Sequence, residues 1–389
     1  MKSKYRLLAG FMALLLTFNI NTYAAGEALE LDVKSAFLIE ASSGQTLYEV
    51  NPNERLPIAS VTKVMTLLLI CEALNNGVIN MDEMVTVSER ASGMGGSQIY
   101  LEKGEQMSVR DMLKAIAVVS ANDASLAMAE HIAGSEEAFV SRMNKRAEEL
   151  GMNDTMFINT NGLDDESSGY SSAKDVATMS SELIKHKVIA PFLTIWMDSL
   201  RGGESSLVNT NRLIRTYPGA NGIKTGSTKK AGYCLSAGAV KDGMQLIAVV
   251  LGAPDTNKRF NAATSLLNYG FANYTLLKEN IKSDGMLYVE VNKGVTKQVE
   301  LVLADGNISN SEFSVLVAKE KKNMIRKQVN MPQSIDAPVS KGQKIGEIEF
   351  YLGEEKIAVK DLIASEESKK MNLFDMTARV FQAWIASPI

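Results

Sequence analysis

Histidine and cysteine are nearly missing from this chain, with two of each among 389 residues. His131, His186, Cys71 and Cys234 give a zinc site little to be built from. Two cysteines also leave no material for a disulfide framework. Cys71 falls in the apolar run Val64 to Leu74 and Cys234 in an apolar strand-like run, so both are expected as buried thiols packing as small hydrophobes. An excess of positive charge is missing as well. Lys and Arg total 41 against 45 Asp and Glu, a formal net charge of -4. Nucleic-acid binders carry a basic footprint, so no nucleic acid partner is expected. No internal repeat or low-complexity tract interrupts the composition, which is that of an ordinary globular protein at 46% apolar and 22% charged residues.

The apolar stretch Leu7 to Phe18 is too short to span a bilayer comfortably. Lys2, Lys4 and Arg6 precede it, and Thr22-Tyr23-Ala24 follows with small residues at a cleavage position. Residues 1–24 therefore read as a signal peptide. No Cys follows the leader, so a lipid-modified N-terminus is not expected. The mature protein is expected at the outer face of the cytoplasmic membrane or in the cell-wall space.

Residues 25–280 read as a mixed α/β (α+β) unit. A hairpin is expected over residues 35–50, around Ser43-Gly44. Ser60 then opens an almost wholly apolar helix from Val61 to Leu74, buried on most sides. Residues 75–105 read as loop-rich. Ser108, Ser135 and Ser172 stand where caps should start helices ending near Val119, Gly151 and His186, and a further helix runs from Ser120-Ala121-Asn122 to about Ile132. After Gly219 strands take over: a short Ile223-Lys224-Thr225, then Cys234–Val240 and Met244–Leu251 across Lys241-Asp242-Gly243. A helix over about 257–269 closes the unit. The helices are thus inserted between strands from both ends of the sequence.

Residues 281–368 change character, with short alternating segments at 286–291, 299–303, 313–317 and 345–351, and are expected to form a separate small β domain. Residues 369–389 begin with Lys369-Lys370. Leu373, Phe374, Val380, Phe381, Trp384 and Ile385 then make one apolar stripe at helical spacing. An amphipathic helix lying on a membrane surface through residues 371–389 is the preferred reading over a helix docked on its own domain.

The chemistry lies in three strings, Ser60-Val61-Thr62-Lys63, Ser120-Ala121-Asn122 and Lys224-Thr225-Gly226, in that order. A serine hydroxyl needs a nearby base to become a nucleophile. Neither histidine has a carboxylate at an informative spacing, so a Ser-His-Asp arrangement is disfavoured. Lysine can replace histidine only when neutral; lowering its ordinary pKa of about 10.4 to roughly 7 or 8 requires about 4 kcal/mol. Burial and a second cation both push that way. Lys63 on a buried helix, one turn from Ser60, and Lys224 as the second cation provide both. Ser-x-x-Lys also occurs at Ser171–Lys174 and Ser227–Lys230, but in polar, turn-rich surroundings.

S-x-x-K, S-D-N and K-T-G form the signature of class A β-lactamases and penicillin-binding proteins, and the three strings here follow it with Ala121 at the middle position of the second. The chain resembles a low-molecular-mass penicillin-binding protein, a serine-type D-alanyl-D-alanine carboxypeptidase of Firmicute-like, Gram-positive type. Gly96-Ser97-Gln98-Ile99, Tyr170-Ser171-Ser172-Ala173 and Asn209-Thr210-Asn211-Arg212 share the resemblance, which extends from leader to terminal helix. Ala121 departs from the usual glycine or aspartate. The resemblance implies a penicillin-recognising transpeptidase/β-lactamase-like fold and an acyl-enzyme on Ser60. Lys63 would be the general base, Ser120 a proton relay, and Asn122 a holder of the substrate amide and of Lys63. Lys224, Thr225 and Arg212 would bind the terminal carboxylate, with an oxyanion hole at the N–H groups of Ser60 and Ser227. Gly226 would leave room for substrate along the strand. Peptidoglycan stem peptides and β-lactam antibiotics are the implied partners, and neither metal nor organic cofactor is implied. The other readings are a class A β-lactamase, whose E-x-x-L-N string is not found, and an inactive peptidoglycan-binding domain. Glu148 to Asn153 only approaches that string and reads as a helix end.

Overall fold

The computed structural model describes residues 29–163, 169–280, 287–304 and 312–386, and only the backbone of 278–280, 312–314 and 380–386. The expected leader lies outside the described residues. From Asp32 onward the described elements belong to one compact unit.

The chain opens with β1 (Ser35–Glu40) and β2 (Thr46–Val50), then α1 (Lys63–Asn75), β3 (Met84–Thr86), α2 (Glu89–Ser92) and β4 (Gln106–Ser108). Helices follow: α3 (Val109–Val119), α4 (Asn122–Ala133), α5 (Glu136–Glu149), α6 (Ala173–Lys185) and α7 (Ala190–Leu193). A small hairpin, β5 (Met197–Leu200) with β6 (Ser205–Val208), leads through α8 (Leu213–Thr216) to β7 (Ala220–Thr228), β8 (Gly232–Lys241), β9 (Met244–Ala253) and α9 (Thr256–Asn273).

The main sheet has the order β2-β1-β9-β8-β7, and every neighbouring pair is antiparallel. Segregated helices on an antiparallel sheet make the class α+β. Both faces of the sheet are covered, which explains the nearly unbroken apolar runs of β1 and β9. Phe37, Ile39, Ile247 and Val249 face the core that holds α1 and α6. Leu38 and Leu246 face α9, where Gly270 lets the helix approach: a Cβ there would stand 2.5 Å from Leu246 Cδ1. The β8–β9 turn has the two-residue form expected, with Asp242 and Gly243 at φ 52 and 83.

Helix starts follow their caps. The hydroxyls of Ser108, Ser135 and Ser172 each accept a backbone N–H three residues on, at 3.1 Å. The loop-rich stretch 75–105 contains β3 and α2 in addition. Helix α1 is buried nearly all round, but it begins at Lys63; Ser60 lies in a 3-10 turn, Ala59–Thr62, just before it.

The C-terminal part comprises β10 (Tyr274–Asn280), β11 (Tyr288–Asn292), β12 (Gln298–Leu303), β13 (Glu312–Ala318), β14 (Ile325–Asn330), β15 (Ser334–Asp336), β16 (Lys344–Leu352) and β17 (Glu355–Ala364), then α10 (Leu373–Ala386). A six-stranded sheet, β14-β16-β17-β12-β11-β15, buries its own core of Val289, Val299, Leu301, Ile348, Phe350 and Leu362 among others. Strand β10 pairs with β13, so the segment from Tyr274 joins this part rather than the preceding unit, which was expected to run to 280. β14, β15 and β17 are additional to the expected strands. Among the described residues no helix is long and apolar enough to cross a membrane.

Candidate active site

The turn carrying Ser60 is held in an uncommon conformation. Ala59 has φ 47, a left-handed value that a non-glycine residue adopts only at a cost. Val61 N–H closes the turn on Ile58 O at 3.1 Å. Ser60 is half-buried at the mouth of the site, while Lys63 is completely buried. Lys63 Nζ stands 3.0 Å from Ser60 Oγ and donates to Asn122 Oδ1 at 2.6 Å and to the carbonyl of Asn161 at 2.8 Å. Burial above all, and then the charge of Lys224, pushes the Lys63 pKa well below its ordinary value; Asp123 opposes them. Asn161 was not anticipated. Its neighbour Thr160 is fixed by Thr66 Oγ1, which donates to Thr160 O at 2.6 Å, and by Glu136, which accepts from Thr160 N–H and Oγ1.

Ser120 ends α3 in the left-handed region at φ 65. This kink allows α4 to begin at once with Asn122, so two site residues come from one helix junction. Ser120 Oγ is buried and has no partner among the described residues. A buried hydroxyl left open is rare in folded proteins and fits a group that waits for a ligand or proton. Asn122 donates Nδ2 to Gly95 O at 2.7 Å, and its N–H donates to Ser97 O at 2.7 Å. The Gly96-Ser97-Gln98-Ile99 string is thereby tied to the site. Gly96 is needed for closeness, since a Cβ there would meet Asn122 Nδ2 at 2.8 Å. Ala121 is fully buried.

Strand β7 forms the edge of the sheet, and among the described residues no strand pairs with its outer side. Lys224 and Thr225 are buried on it, and Ser227 is exposed. Lys224 Nζ donates to Thr225 O at 2.9 Å; burial, and then the charge of Arg259, lowers its pKa to about 7. Thr225 Oγ1 donates to Thr210 Oγ1 at 2.7 Å, bringing the Asn209–Arg212 string alongside. Gly226 was expected to leave room for substrate, but the structure gives a different reason. A Cβ there would lie 2.7 Å from Ile58 O and 2.9 Å from Ser60 N and Val61 N. The missing side chain lets the Ser60 turn press against the strand.

Arg212 is the correction. It was expected beside Lys224 and Thr225, but it is exposed, donates to Asn257 Oδ1 at 3.1 Å and lies over the Phe260 ring at 4.6 Å. Its neighbour Asn211 takes the inward position, donating to Gly222 O at 2.8 Å. Arg259 supplies the buried guanidinium instead. It donates to Gly226 O at 3.2 Å and Cys234 O at 3.3 Å, and its buried Nε has no partner among the described residues. Burial lowers its pKa to about 10, which leaves it charged at neutral pH. A sequence signal existed, because Arg259 shares a helical stripe with the buried Ala263, Leu266 and Gly270 of α9. An arginine on such a stripe calls for a reason.

The rivals stand elsewhere. His131 pairs with Glu83 at 2.9 Å and His186 with Asn75 at 2.6 Å. Lys174 and Lys230 are exposed. Cys71 and Cys234 are buried, and burial pushes the Cys71 thiol up to about 12. Glu148 and Glu149 are exposed at the end of α5, before Gly151 at φ 71.

Residues 21–255 match the family model described as D-alanyl-D-alanine carboxypeptidase. The chain belongs to this family. Residues 271–370 match a second model, the C-terminal domain of penicillin-binding protein 5. The carboxypeptidase is 43% identical over 387 residues to D-alanyl-D-alanine carboxypeptidase DacF of Bacillus subtilis, covering 97% of both chains. Among solved structures, penicillin-binding protein 5 of Haemophilus influenzae matches with a TM-score of 0.75 at 30% identity, over 89% of this chain and all of that one. Penicillin-binding protein D2 of Listeria monocytogenes, solved with ampicillin bound, matches at 33% identity and a TM-score of 0.58, over 63% of this chain and all of that one. The fold is that of the penicillin-binding serine enzymes.

Proposed function

We propose that the carboxypeptidase releases the terminal D-alanine of peptidoglycan stem pentapeptides through an ester on Ser60, with Lys63 as its general base. The observation that carries this is the surroundings of the Lys63 amine. Two carbonyl oxygens, of Asn122 and Asn161, take two N–H groups. A neutral amine then has its lone pair left for the Ser60 hydroxyl 3.0 Å away. Lys63 takes that proton as Ser60 Oγ bonds to the carbonyl carbon between the two D-alanines. The resulting oxyanion is held by the N–H groups of Ser60 and Ser227. Collapse breaks the C–N bond, and the open Ser120 hydroxyl passes the proton from Lys63 to the departing amine. Water then cleaves the ester, giving the shortened peptide and restoring Ser60.

The edge of β7 accepts the peptide as an added strand, while Asn122 holds its amide. Lys224, Thr225 and Arg259 receive the terminal carboxylate in a buried, positively charged corner. A β-lactam acylates Ser60 by the same attack, its ring C–N bond opening; the ampicillin complex of the Listeria relative supports this. Asp123, which acts electrostatically on Lys63, accepts from the N–H groups of Ile99, Leu101 and Ala124, so it is committed to holding backbone rather than to activating water. This favours the carboxypeptidase over a β-lactamase. Residues 1–24 direct export, and residues 371–389 hold the enzyme on the outer face of the cytoplasmic membrane; exposure of Leu373 and Phe374 at 81% and 80% supports the second point.

Mass spectrometry of the purified protein after penicillin, and after a D-alanine-terminated pentapeptide, tests the reading. One adduct on Ser60 and release of D-alanine are expected, both lost in Ser60→Ala. Continued D-alanine release by that variant would refute the mechanism.

A further inference from the structure

The loop between β11 and β12 is bound unusually closely to the root of α10. Val295 N–H donates to Lys369 O and Met371 N–H to Lys293 O, both at 2.8 Å. Gly294 and Lys370 form an antiparallel bridge between these two contacts. Ser368 Oγ donates to Thr296 O at 3.1 Å, and Arg379, from α10 itself, donates to Val295 O at 2.8 Å. The approach depends on Gly294, where a Cβ would lie 2.6 Å from Ser368 Oγ and from Val291 Cγ1. The loop and the start of the helix therefore present one continuous surface.

That surface carries two kinds of side chain. Lys293, Lys297, Lys369 and Lys370 are all exposed. Among the described residues only Lys369 of these four forms an ion pair, with Glu367 at 3.5 Å. Glu366 is exposed nearby, and Asp375 accepts from Asn372 N–H at 3.1 Å at the start of α10. Val295 in the loop is 52% exposed, and Leu373 and Phe374 at the start of α10 are 81% and 80% exposed. Exposed apolar groups and cations on a loop tied to an amphipathic helix match the boundary between acyl chains and charged headgroups of a bilayer.

We propose that the 292–297 loop of the β domain is itself part of the membrane-docking face, on which Lys293, Lys297, Lys369 and Lys370 bind anionic phospholipid headgroups while Val295 sits at the acyl boundary. This rests on the membrane role proposed for residues 371–389, and extends it from the helix to the folded domain. Lipid charge then selects where the enzyme settles, and the loop, being fixed to the helix root, orients the β domain on the surface.

Vesicle co-sedimentation of the chain lacking only its leader provides the test, with phosphatidylcholine vesicles and with phosphatidylcholine–phosphatidylglycerol vesicles. The wild-type chain should bind the mixed vesicles at least about tenfold more tightly, a preference that falls with added salt. Lys293→Gln/Lys297→Gln/Lys370→Gln should lose the preference, keep its binding to phosphatidylcholine and retain full D-alanine release from a soluble pentapeptide. Equal binding of the wild-type chain to both vesicles, or an unchanged preference in the triple variant, would overturn the loop's role and leave the helix reading standing. Binding of the wild-type chain to neither vesicle would overturn the membrane reading as a whole.

Discussion

The catalytic unit and the C-terminal β domain bury polar groups very differently. Within the core of the first lie Lys63, Lys224, Arg259, Asn122, Asp123 and Ser120. Within the second, Glu349 and Ser368 are the buried polar side chains among the described residues, and Glu349 is met by Lys356, Tyr351 and Asn330. Among the described side chains none of its lysines is buried. Burying an ammonium group costs several kcal/mol unless the group neutralises or finds partners. A fold tolerates that cost where a neutral amine is what the chemistry needs. The β domain has no such need, so its core is almost wholly apolar and its one buried carboxylate, Glu349, is met by partners.

The comparison breaks most directly at Lys63. Lys63→Met keeps length and bulk but removes the amine, and penicillin acylation should fall about 10²- to 10⁴-fold. Stopped-flow or gel measurement of labelled penicillin on Ser60 checks this, with circular dichroism confirming the fold. Acylation at the wild-type rate would mean that the buried amine serves packing alone.

Lys224 sharpens the same point through pH. Its charge, second to burial, holds the Lys63 pKa down. Removing that charge in Lys224→Met raises the Lys63 pKa, so a larger share of Lys63 is protonated at neutral pH. The acidic limb of the acylation profile should then move to higher pH, while the loss of the cation proposed to receive the carboxylate should lower the rate roughly 10²-fold. The push from Lys224 is greatest below its own pKa of about 7, where it is charged. Lys224→Arg should leave the limb near its original place. An unmoved limb in Lys224→Met would show that burial alone neutralises Lys63.

A loss of similar size, without the shift in pH dependence, is expected from Gly226→Ala. The added methyl meets Ile58 O at 2.7 Å and the Ser60 and Val61 nitrogens at 2.9 Å, and these are backbone atoms that cannot swing aside. Displacing the Ser60 turn should slow acylation by about 10²-fold, with a modest loss of thermal stability. A crystal structure of the variant showing an unmoved turn would mean that close packing of turn and strand does not require glycine at this position.

The three strings were legible because each is short and its residues are brought together locally. Ser60 and Lys63 share one turn, Ser120 and Asn122 one helix junction, and Lys224 to Gly226 one strand. Even so, the start of α1 was expected two residues early, since a 3-10 turn and an α-helix have the same apolar pattern over one turn. Asn161 acts through a carbonyl, which every residue possesses, so no side-chain pattern could reveal it. Arg259 differs in having a side-chain signal, its place in the buried stripe of α9, but the Asn209–Arg212 string holds a second arginine, and that one is exposed. In the β domain, β17 follows β16 through a two-residue Gly353-Glu354 turn, with Gly353 at φ 64, a hairpin sign that was available. Its strands alternate with many charges, which weakened the apolar pattern. The terminal stripe is legible in sequence, while Val380, Phe381, Trp384 and Ile385 lie beyond the described side chains.

The smallest effect on chemistry should come from the largest change to the β domain. Phe350 on β16 is 1% exposed and packs with Ile348 and Leu362 in the second core. Phe350→Ala should cost that domain about 3–5 kcal/mol. Because the main sheet buries its own residues between α1, α6 and α9, the Ser60 turn and β7 have no part in that loss. Hydrogen exchange should report early opening of β12, β16 and β17, while penicillin acylation of Ser60 proceeds at the wild-type rate. The route by which this independence could fail is visible: β10 follows α9 directly, and Lys319 Nζ donates to Phe271 O at 2.7 Å. If acylation declines in step with the exchange of β16, stability passes through that junction, and the two cores act as one cooperative unit.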